Sequence, residues 1–517
     1  MLYLFGFLCV CALGAMPLVG CGETAGDGKD DRLCVPGDAM ECRCDDGSLG
    51  LQLCRPDGSG YETCDCYDGA GGAAGAGGEG GAGGSGLGGG GGSPPGESYR
   101  TTEELYEELH ELAAQHSSIV ELVDYGDSYV RQEAGAPSGY DLLALRITAK
   151  GVSGPKPVFV IVAGYHGDEV IGTELARRML HWLVESYGAD ADATWLVDYH
   201  DTWVIPTVSP DTLNVSRSNA NLVNLNRNHS FQWVAADGHG QHPASEPEIF
   251  HLEELLAEKL TDQRGPDEAD AAPLDTVGLF ITLHASGSIV SWPWAFSDAP
   301  SPNSAGLATI GRKLGATLGY DTGQTYDAVY PIHGCATDWI YGTFGVPAFL
   351  HEIGRSDRPA FGDVNTDIWP PHLEAMLYEA RLARAPYQLG AGPDVRNVSS
   401  HDEGDRIRLF AEIDDRDNGG ELIAAAEFTV DLPPWDPAAV AIALMPEDGQ
   451  LDSPTELATA TMDWDALPSG GEQRHIVFVR GQDAAGHWGP PRATFIARSF
   501  STRISQNVRS VRFLEER

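Results

Sequence analysis

An apolar run that ends in a cluster of polar side chains constrains the fold of this chain more than any other feature. Residues 157–164 read PVFVIVAG, a continuous apolar stretch with the length of a buried strand. His166, Asp168 and Glu169 follow directly. Apolar residues then recur every four positions, as on the buried face of a helix, at Ile171, Leu175, Met179 and Leu183. The sequence therefore predicts a strand–helix unit with polar, chemically active side chains where the strand ends.

The same alternation of strands and helices extends from about residue 99 to residue 387. Strand patterns occupy residues 119–130, 140–148, 156–164, 200–208, 277–285 and 346–354. Helical patterns occupy residues 101–118, 245–260 and 370–383. Strands that alternate with helices indicate an α/β domain. We therefore expect an α/β fold with a mixed, mostly parallel sheet and flanking helices over residues 99–387.

The chain changes character after this domain. Short alternating strand patterns, separated by Asp, Gly and Pro, lie at residues 406–415, 423–431, 439–445 and 473–490. They predict a C-terminal β-sandwich of the immunoglobulin or fibronectin type over residues 388–500. Residues 501–517 form a tail without assignment. Asp414, Asp415 and Asp417 suggest calcium, but a solvated turn is the preferred interpretation because no complete calcium-loop motif is present.

The first residues indicate export. Residues 1–20 form an apolar stretch of signal-peptide length, and LVGC at residues 18–21 resembles a bacterial lipobox. We expect Cys21 to be the lipidated first residue of a mature protein held at the outer membrane or cell surface. The alternative is an ordinary secretory signal cleaved nearby, which gives a secreted protein.

A small cysteine-rich module and a glycine-rich linker separate the signal from the α/β domain. The module spans residues 21–68, and six of the ten cysteines lie between residues 34 and 66 of it, at Cys34, Cys42, Cys44, Cys54, Cys64 and Cys66. So short a segment, poor in large apolar residues, needs cross-links. Export and the absence of histidine favour disulfides over a zinc cluster. Residues 69–98 predict a flexible linker, and Cys335 is expected to be a packed thiol.

The charge of the chain restricts its partners. It carries 76 acidic and 33 basic residues, a formal net charge of −43. Phosphate binding requires clustered Lys and Arg, so we expect no nucleic-acid partner. The acidic balance suits an exported, highly soluble protein, and we expect a monomer.

Two strand ends carry residues that bind metals. His166 and Glu169, three residues apart, provide two thirds of a His₂Glu zinc site, which leaves a coordination position open for water. The pair alone is equally explained by a surface histidine and a capping glutamate. His284, which closes the strand pattern at residues 277–285, is the candidate third ligand. A polar loop at residues 217–231 adds Arg217, Asn226 and Arg227. The guanidinium groups of the two arginines suit carboxylate binding and oxyanion stabilisation.

These segments together resemble the zinc metallocarboxypeptidases, the family of carboxypeptidase A and its bacterial relatives, over residues 99–387. HGDE, which contains His166 and Glu169, is similar to the family's first zinc motif. RSNANLVNLNRN at residues 217–228 is similar to RxNxxGxDLNRN of the family's shorter branch, with Leu222 in place of glycine. The remaining elements follow in the family's order: SEPE at residues 245–248, His284, Tyr330 eight residues before Asp338, and Glu352 in FLHEIG.

The resemblance implies a zinc-dependent carboxypeptidase that removes the C-terminal residue of peptides or proteins. One zinc ion per catalytic domain would be held by His166, Glu169 and His284 and would lower the pKa of a bound water. Glu352 would take the proton of that water and pass it to the leaving amine. Arg217, with the metal, would stabilise the oxyanion.

The resemblance also assigns the substrate contacts. Asn226 and Arg227 would bind the terminal carboxylate, and Tyr330 would close over the bound residue. Thr337 and Ala295 match positions of the specificity pocket. Neither residue is acidic, so a neutral terminal side chain is expected rather than Lys or Arg.

Two other functions remain open at this point. The first is a zinc amidase of related fold that acts on N-acyl amino acids or peptidoglycan peptides. The second is a non-catalytic binding protein at the cell surface, which would predict the loss of Glu352 or of a metal ligand. All of these residues are present.

Overall fold

The computed structural model describes residues 39–43, 49–53, 55, 65–66, 98–467 and 474–498. The predicted signal peptide, Cys21, most of the cysteine-rich module, nearly all of the linker and the tail lie outside these residues. The chain divides into two units, residues 1–90 and 91–517. The described part contains no helix that is both long and apolar enough to cross a membrane.

The first unit contains a three-stranded antiparallel sheet in the order β1-β2-β3. Its strands are β1 (Ala39–Arg43), β2 (Leu49–Leu53) and β3 (Asp65–Cys66).

The second unit is built around an eight-stranded sheet in the order β10-β9-β11-β8-β6-β7-β5-β4. Its strands are β4 (Val120–Asp127), β5 (Asp141–Ile147), β6 (Val158–Ala163), β7 (Asp201–Ile205), β8 (Leu279–His284), β9 (Ile289–Trp292), β10 (Asp321–Gln324) and β11 (Ala348–Glu352). The four central strands β11, β8, β6 and β7 are mutually parallel. The pairs β4–β5, β5–β7 and β9–β11 are antiparallel. The predicted mixed, mostly parallel sheet is confirmed.

Helices cover both faces of this sheet. They are α1 (Thr102–Gln115), α2 (Tyr129–Ala134), α3 (Val170–Ser186), α4 (Ala191–Tyr199), α5 (Pro247–Lys259), α6 (Ser304–Leu318), α7 (Thr325–Ala328), α8 (Ala336–Phe344), α9 (Phe361–Asp363), α10 (Trp369–Leu382) and α11 (Pro386–Leu389). Phe159 and Ile161 of β6 pack with α1, α3, α6 and α10, whereas Val160 and Val162 pack with α5 and α8. Alternate residues of a strand point to opposite faces, which is why a strand buried on both sides is continuously apolar.

Two four-stranded antiparallel sheets follow in the C-terminal region, in the orders β12-β13-β17-β16 and β15-β14-β18-β19. Their strands are β12 (Asp394–Asp402), β13 (Arg406–Asp414), β14 (Ile423–Val430), β15 (Ile442–Ala443), β16 (Met445–Pro446), β17 (Thr455–Asp463), β18 (Arg474–Asp483) and β19 (Arg492–Ala497). Side chains of both sheets share one apolar core that includes Ile413, Phe428 and Val477. Two sheets enclosing one core form a β-sandwich.

Two expectations for this region are wrong in detail. Residues 439–445 do not form one strand, because β15 pairs with β14 and β16 pairs with β17 of the other sheet. Leu444 lies between them and is buried in the core. The solvated turn is also wrong for Asp414 and Asp415, which are 2 % and 0 % exposed.

Candidate active site

Three neighbouring parallel strands end together at one edge of the large sheet. Ala163 at the end of β6 is paired with Leu283 of β8, and His284 of β8 is paired with Glu352 of β11. The carboxyl ends of these strands therefore face the same crevice. In open α/β sheets this edge is where ligands bind.

His166, Glu169 and His284 converge at this edge. The Nδ1 atom of His166 lies 2.6 Å from Glu169 Oε1, and the Nδ1 atom of His284 lies 2.8 Å from Glu169 Oε2. One donor atom from each of the three side chains falls within 4.8 Å of the others. The three residues are 2 %, 2 % and 1 % exposed. Their donor atoms can thus share one ion.

Glycines make this convergence possible. Helix α3, which follows Glu169, approaches β8 so closely that a Cβ at Gly172 would lie 2.6 Å from the carbonyl oxygen of Leu283. Gly167 sits against the carbonyl oxygen of Thr212 with no room for a side chain. Close helix–strand approach therefore brings Glu169 to His284, and the turn between His166 and Glu169 depends on Gly167.

The protonation states suit metal binding. Burial lowers the pKa of His166 to about 4, although Glu169 opposes this shift. Burial alone would raise the pKa of Glu169, but His166 and His284 hold it well below its usual range. At neutral pH the site therefore offers a carboxylate and a neutral His166 imidazole. Two imidazoles and one carboxylate are a donor set typical of catalytic zinc.

The Glu352 carboxyl group lies next to this cluster but is not one of its three donor side chains. Burial raises its pKa to about 7, and the nearby Glu169 carboxylate adds to the increase while His284 and Arg217 oppose it. A carboxyl group with a pKa near the working pH is suited to both accept and return a proton. The preceding residue, His351, points to the other face of β11, where its Nε2 atom lies 3.0 Å from Glu379 Oε1.

The polar loop after β7 brings its arginines to the same place. Arg217 donates from Nη1 to Glu169 Oε1 at 2.6 Å. Asn226 places its Nδ2 atom 3.3 Å from His284 Nε2, and its Oδ1 atom accepts from the backbone N–H of Ala336. Arg227 donates to the hydroxyl of Tyr330 at 2.9 Å. Tyr330 is 47 % exposed, so it lies at the mouth of the crevice.

Buried carboxylates hold this loop in place. Asn219 donates from its side-chain amide to Glu246 and Glu248 at 2.9 and 3.1 Å. Glu248 also accepts from the backbone N–H of Tyr129. Both glutamates belong to the SEPE element, whose part in the structure is therefore to fix the loop that carries Arg217 and Arg227.

Asn224 is a functional candidate that the sequence reasoning missed. Its Oδ1 atom lies 2.9 Å from His166 Nε2. Metal-binding histidines usually donate their second N–H to an oxygen, which fixes the orientation of the ring. The sequence could have suggested an oxygen acceptor for His166, but several asparagines of the loop could have filled that role equally well. Leu222, which stands where the family pattern has glycine, adopts φ 61°, in the left-handed region that favours glycine.

The two predicted pocket positions are buried beside small and apolar side chains. Ala295 is fully buried in an apolar cluster with Ile332 and Cys335. Thr337 is buried, and its hydroxyl lies 3.5 Å from the Cys335 thiol. Burial raises the pKa of this thiol to about 12, so Cys335 is the packed thiol that the sequence predicted.

Asp338, which the sequence analysis used only to place Tyr330, is a buried carboxyl beside this cluster. Asp338 accepts from the backbone N–H groups of Ala295 and Phe296 at 2.9 and 3.0 Å. Burial raises the pKa of Asp338 to about 7. Its contacts tie the segment of Ala295 to the first turn of α8.

The remaining histidines near the motifs lie outside the metal cluster. His229 contacts Glu253 and Tyr165, His333 faces the carbonyl oxygen of Gln232, and His242 faces that of Pro243. Among the described residues, the histidines that meet in a potential metal site are His166 and His284.

Comparison with known proteins gives the same result as the geometry. The profile of the Peptidase_M14 family, described as zinc carboxypeptidase, matches residues 105–375. Zinc carboxypeptidase A 1 of Anopheles gambiae is 27 % identical over 299 residues, which cover 53 % of this chain and 63 % of that protein. Carboxypeptidase SOL1 of Arabidopsis thaliana is 25 % identical, over 54 % of this chain and 55 % of its own length.

Among solved structures, carboxypeptidase A from Helicoverpa armigera aligns with a TM-score of 0.45 and 21 % identity, over 56 % of this chain and 74 % of that one. The chain spans less than two thirds of the length of the two curated relatives. The family match covers more than half of this chain and includes every strand end that carries the site. The His166–Glu169–His284 donor set fits one zinc ion, the metal for which the matching family is named. With this site inside the matched region, the chain belongs to the zinc carboxypeptidase family.

Proposed function

We propose that this protein is a zinc carboxypeptidase that removes a neutral C-terminal residue from peptides or proteins. The observation that carries the proposal is the convergence of His166, Glu169 and His284 at the sheet edge where Glu352 also ends its strand. Zinc bound by these three residues would supply Lewis acidity, which activates water and polarises a carbonyl group.

Glu352 supplies the proton transfer. Its raised pKa allows it to take a proton from water and to return that proton to the leaving amine. Arg217 is anchored to Glu169 at 2.6 Å, and its side chain is 42 % exposed. Its remaining N–H groups are therefore available to donate to the oxyanion that develops on the substrate carbonyl.

The loop residues explain a requirement for a free C-terminus. Arg227 contacts both the carbonyl oxygen of Asn226 and the hydroxyl of Tyr330, so its guanidinium is held at the crevice mouth. A guanidinium and an amide are a typical pair for binding a carboxylate. The Tyr330 ring lies 5.7 Å from the Arg227 guanidinium and can cover a residue bound there.

The pocket environment supports a neutral terminal side chain. Ala295, Ile332, Cys335 and Thr337 carry no charge, and the nearby Asp338 carboxyl is occupied by two backbone N–H groups. A cationic terminal side chain would find no free carboxylate among these residues.

Dipeptide substrates that differ in the terminal residue, or in whether the C-terminal carboxylate is free or amidated, test the proposal. N-blocked dipeptides ending in Phe or Leu should be hydrolysed, and those ending in Lys or Glu or carrying a terminal amide should not. Arg227→Ala should lower kcat/KM for the free acids by about 10–100-fold, because a hydrogen bond between charged groups is lost. Measurement is by amino-acid release, with and without a zinc chelator.

Arg312→Ala is the matched control, since Arg312 is exposed on α6 far along the chain from the loop. Its kcat/KM should equal that of the wild type. Equal cleavage of amides and free acids would exclude a carboxypeptidase. Hydrolysis confined to N-acyl amino acids or peptidoglycan peptides would favour the related amidase activity instead.

We further propose that the protein is exported and held at a membrane surface through a lipid on Cys21, with peptide or protein C-termini as its partners. The LVGC motif supports this. In a bacterial host the wild-type chain should enter the detergent phase on Triton X-114 partitioning, and Cys21→Ser should remain in the aqueous phase. Aqueous wild-type protein would favour the secreted alternative.

A further inference from the structure

Three carboxylates meet at one end of the β-sandwich, far along the chain from the zinc ligands. Asp415 follows β13, Glu421 precedes β14, and Asp483 ends β18. One carboxylate oxygen from each lies within 4.8 Å of the others. Strand β13 belongs to one sheet, whereas β14 and β18 belong to the other. The cluster therefore joins the ends of both sheets.

Asp415 has an unsatisfied atom in this cluster. Its side chain is 0 % exposed, and its Oδ1 atom has no hydrogen-bond partner. The other oxygen, Oδ2, accepts from the backbone N–H of Glu421 at 2.8 Å. A buried carboxylate oxygen without a partner is costly, and such groups are normally paired or bound to a metal.

Protein cations do not balance the cluster. Asp483 is 1 % exposed and pairs with His487 at 2.9 Å, and His487 itself is half exposed. The neighbouring arginines, Arg396 and Arg416, contact Asp414. Within the described part of the chain, no ion pair reaches Asp415 or Glu421. Among the described residues, His487 is therefore the one basic side chain that contacts this cluster, and it does so through Asp483.

We propose that Asp415, Glu421 and Asp483 bind one Ca²⁺ ion. Calcium takes oxygen ligands at about 2.3–2.6 Å, so two ligands on opposite sides of one ion lie about 4.6–5.2 Å apart. The three carboxylate oxygens all lie within 4.8 Å of one another, which is close enough for them to share one such ion. The three donors are carboxylate oxygens, which select hard cations such as calcium over zinc or copper.

The loop that carries Asp415 and Glu421 also links the sandwich to the α/β part. Asn418 has a buried Oδ1 atom without a hydrogen-bond partner. Its Nδ2 atom donates to the carbonyl oxygen of Gly392, which also accepts from Lys313 of α6 at 3.1 Å. Calcium that orders residues 415–421 would therefore stabilise the contact of the sandwich with α6.

Calcium titration of the zinc-saturated full chain tests this site. Isothermal titration should show one Ca²⁺ per chain. Glu421→Gln should weaken binding at least tenfold, and because Glu421 is exposed this variant should fold. Asp415→Asn should remove binding. Calcium should also raise the thermal unfolding temperature of the wild type and leave that of Asp415→Asn unchanged.

Asp417→Asn is the matched control, because Asp417 lies in the same loop, pairs with Arg396 and is outside the cluster. It should bind calcium like the wild type. The proposal would be overturned if the wild type bound no calcium or if Glu421→Gln bound it with wild-type affinity. Proton sharing between the carboxyl groups would then explain how three acidic side chains can lie so close together. The proposal would also be overturned if Asp417→Asn lost as much calcium affinity as Glu421→Gln, since binding would then depend only on the overall charge of the loop.

Discussion

Glu352→Gln should lower kcat by about 10³-fold, which is within the range known for removal of a general acid–base group. Zinc binding should remain intact. Glutamine has the shape of glutamate but cannot accept a proton at neutral pH. The expected loss corresponds to about 4 kcal/mol of transition-state stabilisation. Glu352 lies next to the proposed zinc ligand His284 in the sheet and outside the donor group, so KM and metal content should change little.

Steady-state kinetics on a free-acid dipeptide, combined with zinc analysis of the same sample, checks this expectation. Glu107→Gln is the matched control, because Glu107 is exposed on α1 and the substitution removes the same charge. Its kcat should equal that of the wild type. Retention of more than a tenth of wild-type kcat in Glu352→Gln would show that another group transfers the proton.

The strands of the site could be predicted because their burial is written in the sequence. Strands β6 and β8 are covered by helices on both faces, so their interior positions are apolar except for Thr282. His284 is the last residue of β8, and His166 lies three residues after the end of β6, so both are expected at the sheet edge. This is why the positions of His166 and His284 could be predicted without coordinates.

Two of the edge strands gave no comparable signal. β10, with the sequence DTGQ, is partly exposed along its length and was not predicted. β12, with the sequence DVRNVSSHD, has mostly exposed or half-buried residues and an irregular register with β13. Such strands form through backbone pairing with a neighbour already in place, and their own side chains carry little apolar pattern.

Contacts between residues that are distant in the sequence could not be predicted either. Asn224 could not be distinguished from the other asparagines of its loop, because its role depends on facing His166 Nε2. The cluster at Asp415 required knowledge that Asp483, at the end of another strand, lies next to it. The adjacent Asp414 and Asp417 instead pair with arginines. Sequence proximity groups Asp414, Asp415 and Asp417, whereas the carboxylates that meet in the structure are those of Asp415, Glu421 and Asp483.

Removal of His284 should cause the largest loss of metal binding. His284→Ala deletes the ligand supplied by β8 and leaves Glu169 and His166 without the third donor. Loss of a residue that merely supports a ligand costs about 10–100-fold in metal affinity, so loss of the ligand itself should exceed about 100-fold. Activity at equimolar zinc should fall to background. Competition with a chromophoric zinc chelator measures the affinity.

His351→Ala separates this effect from the loss of a buried imidazole. His351 lies on the adjacent strand, is fully buried and contacts Glu379 on the opposite face of β11. Both substitutions should lower the unfolding temperature, because each leaves a cavity. Only His284→Ala should lose zinc, whereas His351→Ala should bind one equivalent with the affinity of the wild type. Equal affinities in the two variants would mean that the metal is held without the end of β8, and the convergence of strand ends on one ion would no longer explain catalysis.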